Sequence, residues 1–313
     1  MIPVYYHPGY AAPIGDDHRM PIRKFGLVAE VLQQDPAAEF FTPEPVSLEA
    51  LERVHTREYI QAIETGEPRE LAKGQKFPWS PALFPAVRLT NGGLLGAARH
   101  SLSHGVACAL VSGFHHACGD HGEGFCTFNG LVITLDALHH EGLIQHGAVL
   151  DMDLHYGNGT ASLAPGRPHM TTLSIYGNDY WQNQAFRDVE TIRHHDGDNH
   201  FSAILPNGTD EAGMMEILEL ALPRLLSRGK PDLIIYQAGA DPYWEDPYSP
   251  LKLDHQALKN RDLRVFRFCK QHAIPVVWVL AGGYTEDVSK VVRVHVNTFE
   301  ACKEVFEPIP QPS

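Results

Sequence analysis

The amino-acid sequence predicts an α/β fold, a parallel β-sheet wrapped by helices, forming one domain over residues 1–313. Three observations predict it. Short apolar, β-branched runs recur at residues 106–111 (VACALV), 148–152 (AVLDM), 171–175 (TTLSI), 233–236 (LIIY) and 276–280 (VVWVL). Unbroken apolar runs of this length suit parallel strands covered on both faces. Segments with helical periodicity lie between them, and a repeated strand, helix, strand order makes a parallel sheet with helical layers. Finally, no internal repeat and no Gly/Ser linker divides the 313 residues, a length that buries a substantial core.

In chain order, the N-terminal part is the least regular. Residues 9–24 (GYAAPIGDDHRMPIRK) and 77–85 (FPWSPALFP) read as long connections, which in compact domains often form functional rims. The run 106–111 leads into Ser-Gly-Phe-His115-His116, and a helix is expected over 127–141. The run 148–152 contains Asp151 and leads into Asp153-Leu154-His155-Tyr156-Gly157-Asn158-Gly159. Further helices are expected over 210–227 and 254–272. The run 233–236 continues into Gln237-Ala-Gly-Ala-Asp241, and the run 276–280 into Ala281-Gly-Gly-Tyr284. Ligands of open α/β sheets bind beyond the carboxyl ends of strands. Four strand ends therefore deliver His, Asp and Tyr to one edge.

Net charge is -13, from 38 acidic and 25 basic residues. This argues against nucleic acid or an anionic membrane as the main partner and accommodates a cationic substrate, although acids also simply solubilise a surface. Five cysteines, an odd number without a C-x-x-C, suit a reducing compartment. The N-terminus lacks a basic stretch followed by an apolar one, and no run of about 18 apolar residues occurs, so the chain reads as cytoplasmic. Nothing separates a monomer from a homo-oligomer.

Asp153-Leu154-His155 carries the metal argument, because residues i and i+2 of extended backbone point to one side. A third ligand such as Asp241 would leave coordination positions open, as a catalytic ion requires. Oxygen and nitrogen donors without thiolate fit Zn²⁺, or Fe²⁺. His115 and His116 would stand beside the ion, with Asp151 and Asn158 as their orienting partners. An Asp partner favours imidazolium, whereas Asn fixes orientation without charge, so the two rings would differ in pKa and in role.

The segments SGFHHACGDHGEGFCTFNG, VLDMDLHYGNG, YQAGADPYWEDP and LAGGYT, with the weaker VHTREYI near residue 55, together resemble the zinc-dependent histone deacetylase family. That family includes the acetylpolyamine amidohydrolases, and the likeness is greatest to its class IV branch and bacterial relatives. The resemblance implies the arginase/deacetylase fold with about eight strands. It implies Asp153, His155 and Asp241 as metal ligands, His116 as general base and acid, His115 as its electrostatic partner, and Tyr284 as donor to the oxyanion. Gly124 and Phe125 would line an acyl tunnel, with Tyr248 and Gly283 among the substrate contacts. A structural K⁺ is implied beside Asp151 and carbonyls around Asp153, His155, Ser174 and Ile175. The expected reaction is metal-dependent hydrolysis of N-acyl-lysine amides in proteins or peptides; the alternative is deacetylation of acylpolyamines or other small amides. A ureohydrolase would need further aspartates for a second metal, and a silent acyl-lysine reader would lack a ligand, a histidine or the tyrosine.

Some positions depart from the family pattern. Tyr156 stands where many relatives carry a second histidine and is expected to pack behind the site, and Asn158 replaces an Asp. Cys126 is expected to be a small buried residue. Tyr180 or Trp181 is expected to supply a second tunnel aromatic. Where charge-selecting polyamine deacetylases carry a rim Glu, seven residues past the last ligand, this chain has Tyr248. Asp16 and Asp17 are expected in a solvated loop, although they could attract a basic substrate, and His18 is expected at the rim instead of as a ligand. His139-His140, adjacent on a helix and so about 100° apart, and His194-His195, before a strand-like run, are not expected to bind metal.

Overall fold

The computed structural model describes residues 1–15, 18–177 and 196–307. All five apolar runs form strands, within a few residues of the expected bounds: β3 (Val106–Ala109), β4 (Gly147–Asp151), β5 (Met170–Tyr176), β7 (Leu233–Gly239) and β8 (Val276–Ala281). Every residue in them is buried, as two covered faces require. With β1 (Ile2–Tyr5), β2 (Ala38–Phe41) and β6 (His200–Ile204) they make one eight-stranded parallel sheet in the order β2-β1-β3-β8-β7-β4-β5-β6.

The N-terminal part is more regular than expected, for it supplies two strands at one edge of the sheet. Pro3 and a length of four residues disguise β1, since proline cannot donate to a ladder. In β2 the exposed Glu39 and partly exposed neighbours mark an edge strand instead of a buried one. The three expected helices form as α6 (Gly130–His140), α8 (Glu211–Ala221, continued by a 3₁₀ turn to Leu226) and α9 (His255–Gln271). Each begins just after a side chain that caps it: Asn129, Asp210 and Asp254 accept from the backbone N–H of Val132, Gly213 and Ala257. The long α5 (Leu83–His104) packs on β1, β3 and β8, and α10 (Val288–Phe306) packs on α9 and on α1 (Lys24–Leu32).

Among the described residues, no helix is long and apolar enough to cross a membrane. All five cysteines are buried and unpaired, Cys126 among them.

Candidate metal centre and active site

The neighbouring strands β3, β8, β7 and β4 all point their carboxyl ends the same way, and the segments that leave them converge. Asp153, His155 and Asp241 place one candidate ligand atom each within 4.8 Å of one another, all buried, the one group of side chains among the described residues that could hold a metal ion. His155 Nδ1 lies 3.1 Å from both Asp153 Oδ1 and Asp241 Oδ2.

The convergence of Asp153 and His155 does not come from strand alternation. Strand β4 ends at Asp151, and residues 153–155 form a bend. There, Asp151 Oδ1 accepts from Asp153 N at 3.0 Å, Asp153 Oδ1 from His155 N at 2.9 Å, and Asp241 Oδ1 from Leu154 N at 2.9 Å. Local side-chain-to-backbone bonds compete with the ladder and turn the chain toward Asp241. Gly282 closes the other side: at φ +45, a side chain there would meet the Asp241 carboxylate at 2.1 Å, so only glycine lets β8 pass so near.

Two carboxylates and one imidazole so close attract positive charge. Burial disfavours the protonated His155, but Asp153 and Asp241 push its pKa up to about 10. Burial also raises Asp241, with the charge of Asp153 adding to the effect. Against burial, His115 and His155 hold Asp153 well below the usual carboxylate range. The donor set fits a divalent cation, which would neutralise both carboxylates and take the lone pair that otherwise holds a proton.

The rings of His115 and His116 lie 3.9 Å apart between centroids, tilted at 45°, and have different partners. His115 Nδ1 lies 2.7 Å from Asp151 Oδ2, and His116 Nδ1 lies 2.6 Å from Asn158 Oδ1. Burial opposes charge on both. For His115 the carboxylates of Asp151 and Asp153 outweigh it and raise the pKa; for His116 the neighbouring His115 and His155 reinforce it, and the pKa falls well below the usual value. Asp151 itself is raised by burial, against the pull of His115. The His116 ring stands 5.9 Å from that of His155.

The walls are aromatic. The Phe125 ring lies 6.1 Å from Tyr284, stacks on Phe77 at 5.9 Å and meets His18 at 5.2 Å. Phe125 sits in the left-handed region (φ 65), a conformation disfavoured for a bulky residue, held by its N–H bond to the Gln75 carbonyl. Opposite, Tyr248 lies 5.8 Å from His155 and 5.3 Å from Tyr284, with the Arg19 guanidinium 5.1 Å over its ring and donating to its hydroxyl. Burial and the nearby Asp153 and Asp241 push the Tyr284 hydroxyl well above its usual pKa, so it remains a proton donor. Gly124 adjoins Phe125 at φ +49, and Gly283 packs against Val291 and Ala240 behind Tyr284.

Other expected positions fall as follows. Tyr156 is fully buried, its hydroxyl 2.7 Å from His200 Nε2. His18 is no ligand; its Nε2 bonds the Lys76 carbonyl at 3.2 Å. His139 stacks on His169 and His140 lies 3.6 Å from Glu49, away from the site. Asp16, Asp17, Tyr180, Trp181, His194 and His195 lie outside the described residues.

Three supporting residues lie within the segments that carry the resemblance but have no role expected from the sequence: His55 in VHTREYI, and Gln237 and Asp246 in YQAGADPYWEDP. His55 Nε2 accepts from Asn129 N at 3.0 Å, so its Nδ1 donates to the Cys118 carbonyl at 2.9 Å and staples the histidine loop. Burial lowers its pKa to about 3, so it stays neutral. Gln237 Oε1 accepts from Gly113 N at 3.0 Å, tying the same loop to β7. Asp246 accepts from Tyr284 N at 2.7 Å and Tyr248 N at 3.0 Å, holding both tyrosines at once. An Asp246→Ala change should therefore lower kcat by roughly tenfold while leaving bound metal in place, since two hydrogen bonds worth about 0.5–1.5 kcal/mol each are lost. Steady-state rates with metal analysis check this, and an unchanged kcat would remove Asp246 from the site.

Fold and site together define a class, the amidohydrolases of deacetylase type. Residues 18–299 match the histone deacetylase domain, and the chain belongs to the histone deacetylase family. It is 32% identical over 308 residues to an uncharacterized protein of Picosynechococcus sp., covering 97% of this chain and 99% of the other. It is 25% identical over 317 residues to acetylpolyamine amidohydrolase 1 of Pseudomonas aeruginosa, covering 88% and 89% of the two chains. The crystal structure of acetylpolyamine aminohydrolase from Burkholderia pseudomallei superposes with a TM-score of 0.79 over 97% of this chain and 99% of that one, at 20% identity. The fold is thus that of the arginase/deacetylase group, as the resemblance implied.

Proposed function

We propose that this protein hydrolyses N-acyl amides on lysine side chains of proteins or peptides. The observation that carries the reading is the buried Asp153, His155 and Asp241 donor set facing two adjacent histidines with unlike partners. A divalent cation, Zn²⁺ or Fe²⁺, held by those three residues would supply Lewis acidity, polarising the amide carbonyl and acidifying water.

The chain's own groups do the rest. His116, neutral with Nδ1–H on Asn158, takes the water proton at Nε2. His115, held as imidazolium by Asp151, adds positive charge beside the reacting carbonyl. Tyr284 donates its hydroxyl proton in a hydrogen bond to the developing oxyanion. The proton on His116 then passes to the leaving nitrogen as the C–N bond breaks, giving a carboxylate and a free amine. Phe125 and Tyr248 enclose the acyl-bearing chain. Asp151, Ser174 and the carbonyl-rich bend at 153–155 offer the oxygen donors that a structural K⁺ takes, and it belongs to the same reading.

The second reading is a polyamine deacetylase, the activity named in the Pseudomonas relative. Arg19 and Tyr248 favour the first, because a guanidinium at the rim repels a polycation that an acid there would attract. Metal-loaded enzyme tested on acetyl-lysine peptides, long-chain acyl-lysine peptides and acetylated polyamines should show kcat/KM at least about tenfold higher on one of the peptide classes, a difference of about 1.4 kcal/mol. If every substrate is inert and His116→Ala matches the parent, the deacylase reading fails.

A further inference from the structure

His116 is oriented by an amide, and an amide has two ends of similar size and opposite character: its oxygen accepts, its nitrogen donates. Left to itself, Asn158 could present either end to the imidazole. If the nitrogen faced His116, the ring would have to offer Nδ1 as acceptor and carry its proton on Nε2, where a base needs a lone pair.

Glu123 stands on the far side of that amide. It is 5% exposed, and a carboxylate so buried requires partners. Its Oε2 accepts from Asn158 Nδ2 at 3.0 Å, and its Oε1 lies 3.2 Å from His121 Nε2, whose Nδ1 lies 2.5 Å from Asp120 Oδ1. Hydrogen bonds to Cys118 and Glu123 push His121 up to about 10, so that ring donates from both nitrogens, one of them to Glu123 Oε1. The glycine-rich loop makes the placement possible. A side chain at Gly122 would meet the Tyr59 hydroxyl at 2.4 Å and the Cys126 carbonyl at 2.5 Å, and the chain turns there tightly enough to drive Glu123 inward.

We propose that Glu123 is a positioning residue for the base: its carboxyl oxygen accepts from the Asn158 amide nitrogen, turns the amide oxygen to His116, and so holds the His116 proton on Nδ1. The inference rests on the assignment of His116 as base under Proposed function. It gives the carboxylate a reason to be buried one residue beyond the imidazole. Asn158 delivers its orientation without placing a second negative charge against the ring.

The test is an exchange of the two partners. Glu123→Gln should lower kcat about 10- to 100-fold with KM little changed, the usual effect of losing an outer orienting partner. Asn158→Asp sets two carboxylates against each other and should lower kcat by a similar factor. In Glu123→Gln/Asn158→Asp the amide and carboxylate trade places: the new amide at 123 bonds His121 through oxygen and the new carboxylate through nitrogen, and the carboxylate accepts from His116. The double variant should recover kcat at least about tenfold over Asn158→Asp, a recovery that mere packing damage would not produce. A double variant no more active than Asn158→Asp, folded or not, overturns the inference, as does a Glu123→Gln enzyme within twofold of the parent. His116→Ala run alongside distinguishes the two levels: if it matches the parent, the base assignment falls and the inference with it, whereas a large loss there leaves the exchange to decide on Glu123 alone.

Discussion

Asp241→Asn should strip bound divalent metal from the protein and lower hydrolysis by roughly 10³-fold or more, since Lewis-acid help is worth several kcal/mol. One of only two carboxylates disappears from the donor set, and with it half the charge that balances a divalent ion. The asparagine oxygen can still accept from Leu154 N, so the bend at 153–155 should survive and circular dichroism should be unchanged. Metal content by mass spectrometry and kcat on metal-loaded protein are the measurements; full metal occupancy in the variant would dismiss Asp241 as a ligand. A pH dependence follows from the same geometry. In the metal-free protein His155 is raised to about 10, so metal must displace a proton from it. Affinity should therefore fall about tenfold per unit as pH drops below 10, with one proton released per ion bound. The stability of the metal-free protein runs the other way. The folded pKa of His155 exceeds the ordinary value near 6.5, so its contribution is complete below about pH 6.5 and lost as pH rises through 10.

His116→Ala should lower kcat about 10²- to 10⁴-fold, the span of general acid and base catalysis, with metal content preserved. The acid limb of the parent's kcat profile should lie below pH 6.5, because burial, His115 and His155 all hold His116 down; kcat is constant above that limb and falls as the base is protonated. In the variant the limb should vanish. His115→Ala offers the contrast: it removes a fixed positive charge beside Asp151, not the base, so the rate should fall while the acid limb remains. A limb that survives in His116→Ala and disappears in His115→Ala would reverse the two roles.

How legible the fold was depended on burial. β3, β4, β5, β7 and β8 are covered on both faces, which writes them as unbroken apolar runs. β1 is buried but short and interrupted by its proline, and β2 is an edge strand with an exposed Glu39, so both read as irregular chain. The site was legible for a related reason. Polar residues placed directly after apolar runs must lie at a strand's carboxyl end, so Asp153, His155, Asp241, His116 and Tyr284 announce themselves by position. Supports that approach from elsewhere do not. Asp246 lies in the quoted segment YQAGADPYWEDP, but its partner Tyr284 is 38 residues away, so its role there cannot be read locally. Even the Asp153-x-His155 pair converges through a bend built by carboxylates capping N–H groups, where strand alternation would have been the simpler expectation.

By itself, the amino-acid sequence determined which chemical groups meet at the sheet edge, because strand ends and the residues after them are local properties of the chain. Only the tertiary structure decided how each group is held there, through its distances, its burial and its further partners. His116 meets Asn158 across 42 residues, and Asn158 meets Glu123 across 35. Hydrogen-bond direction, burial and neighbouring charge set the proton on each ring, and all three depend on side chains that come together only when the chain has folded.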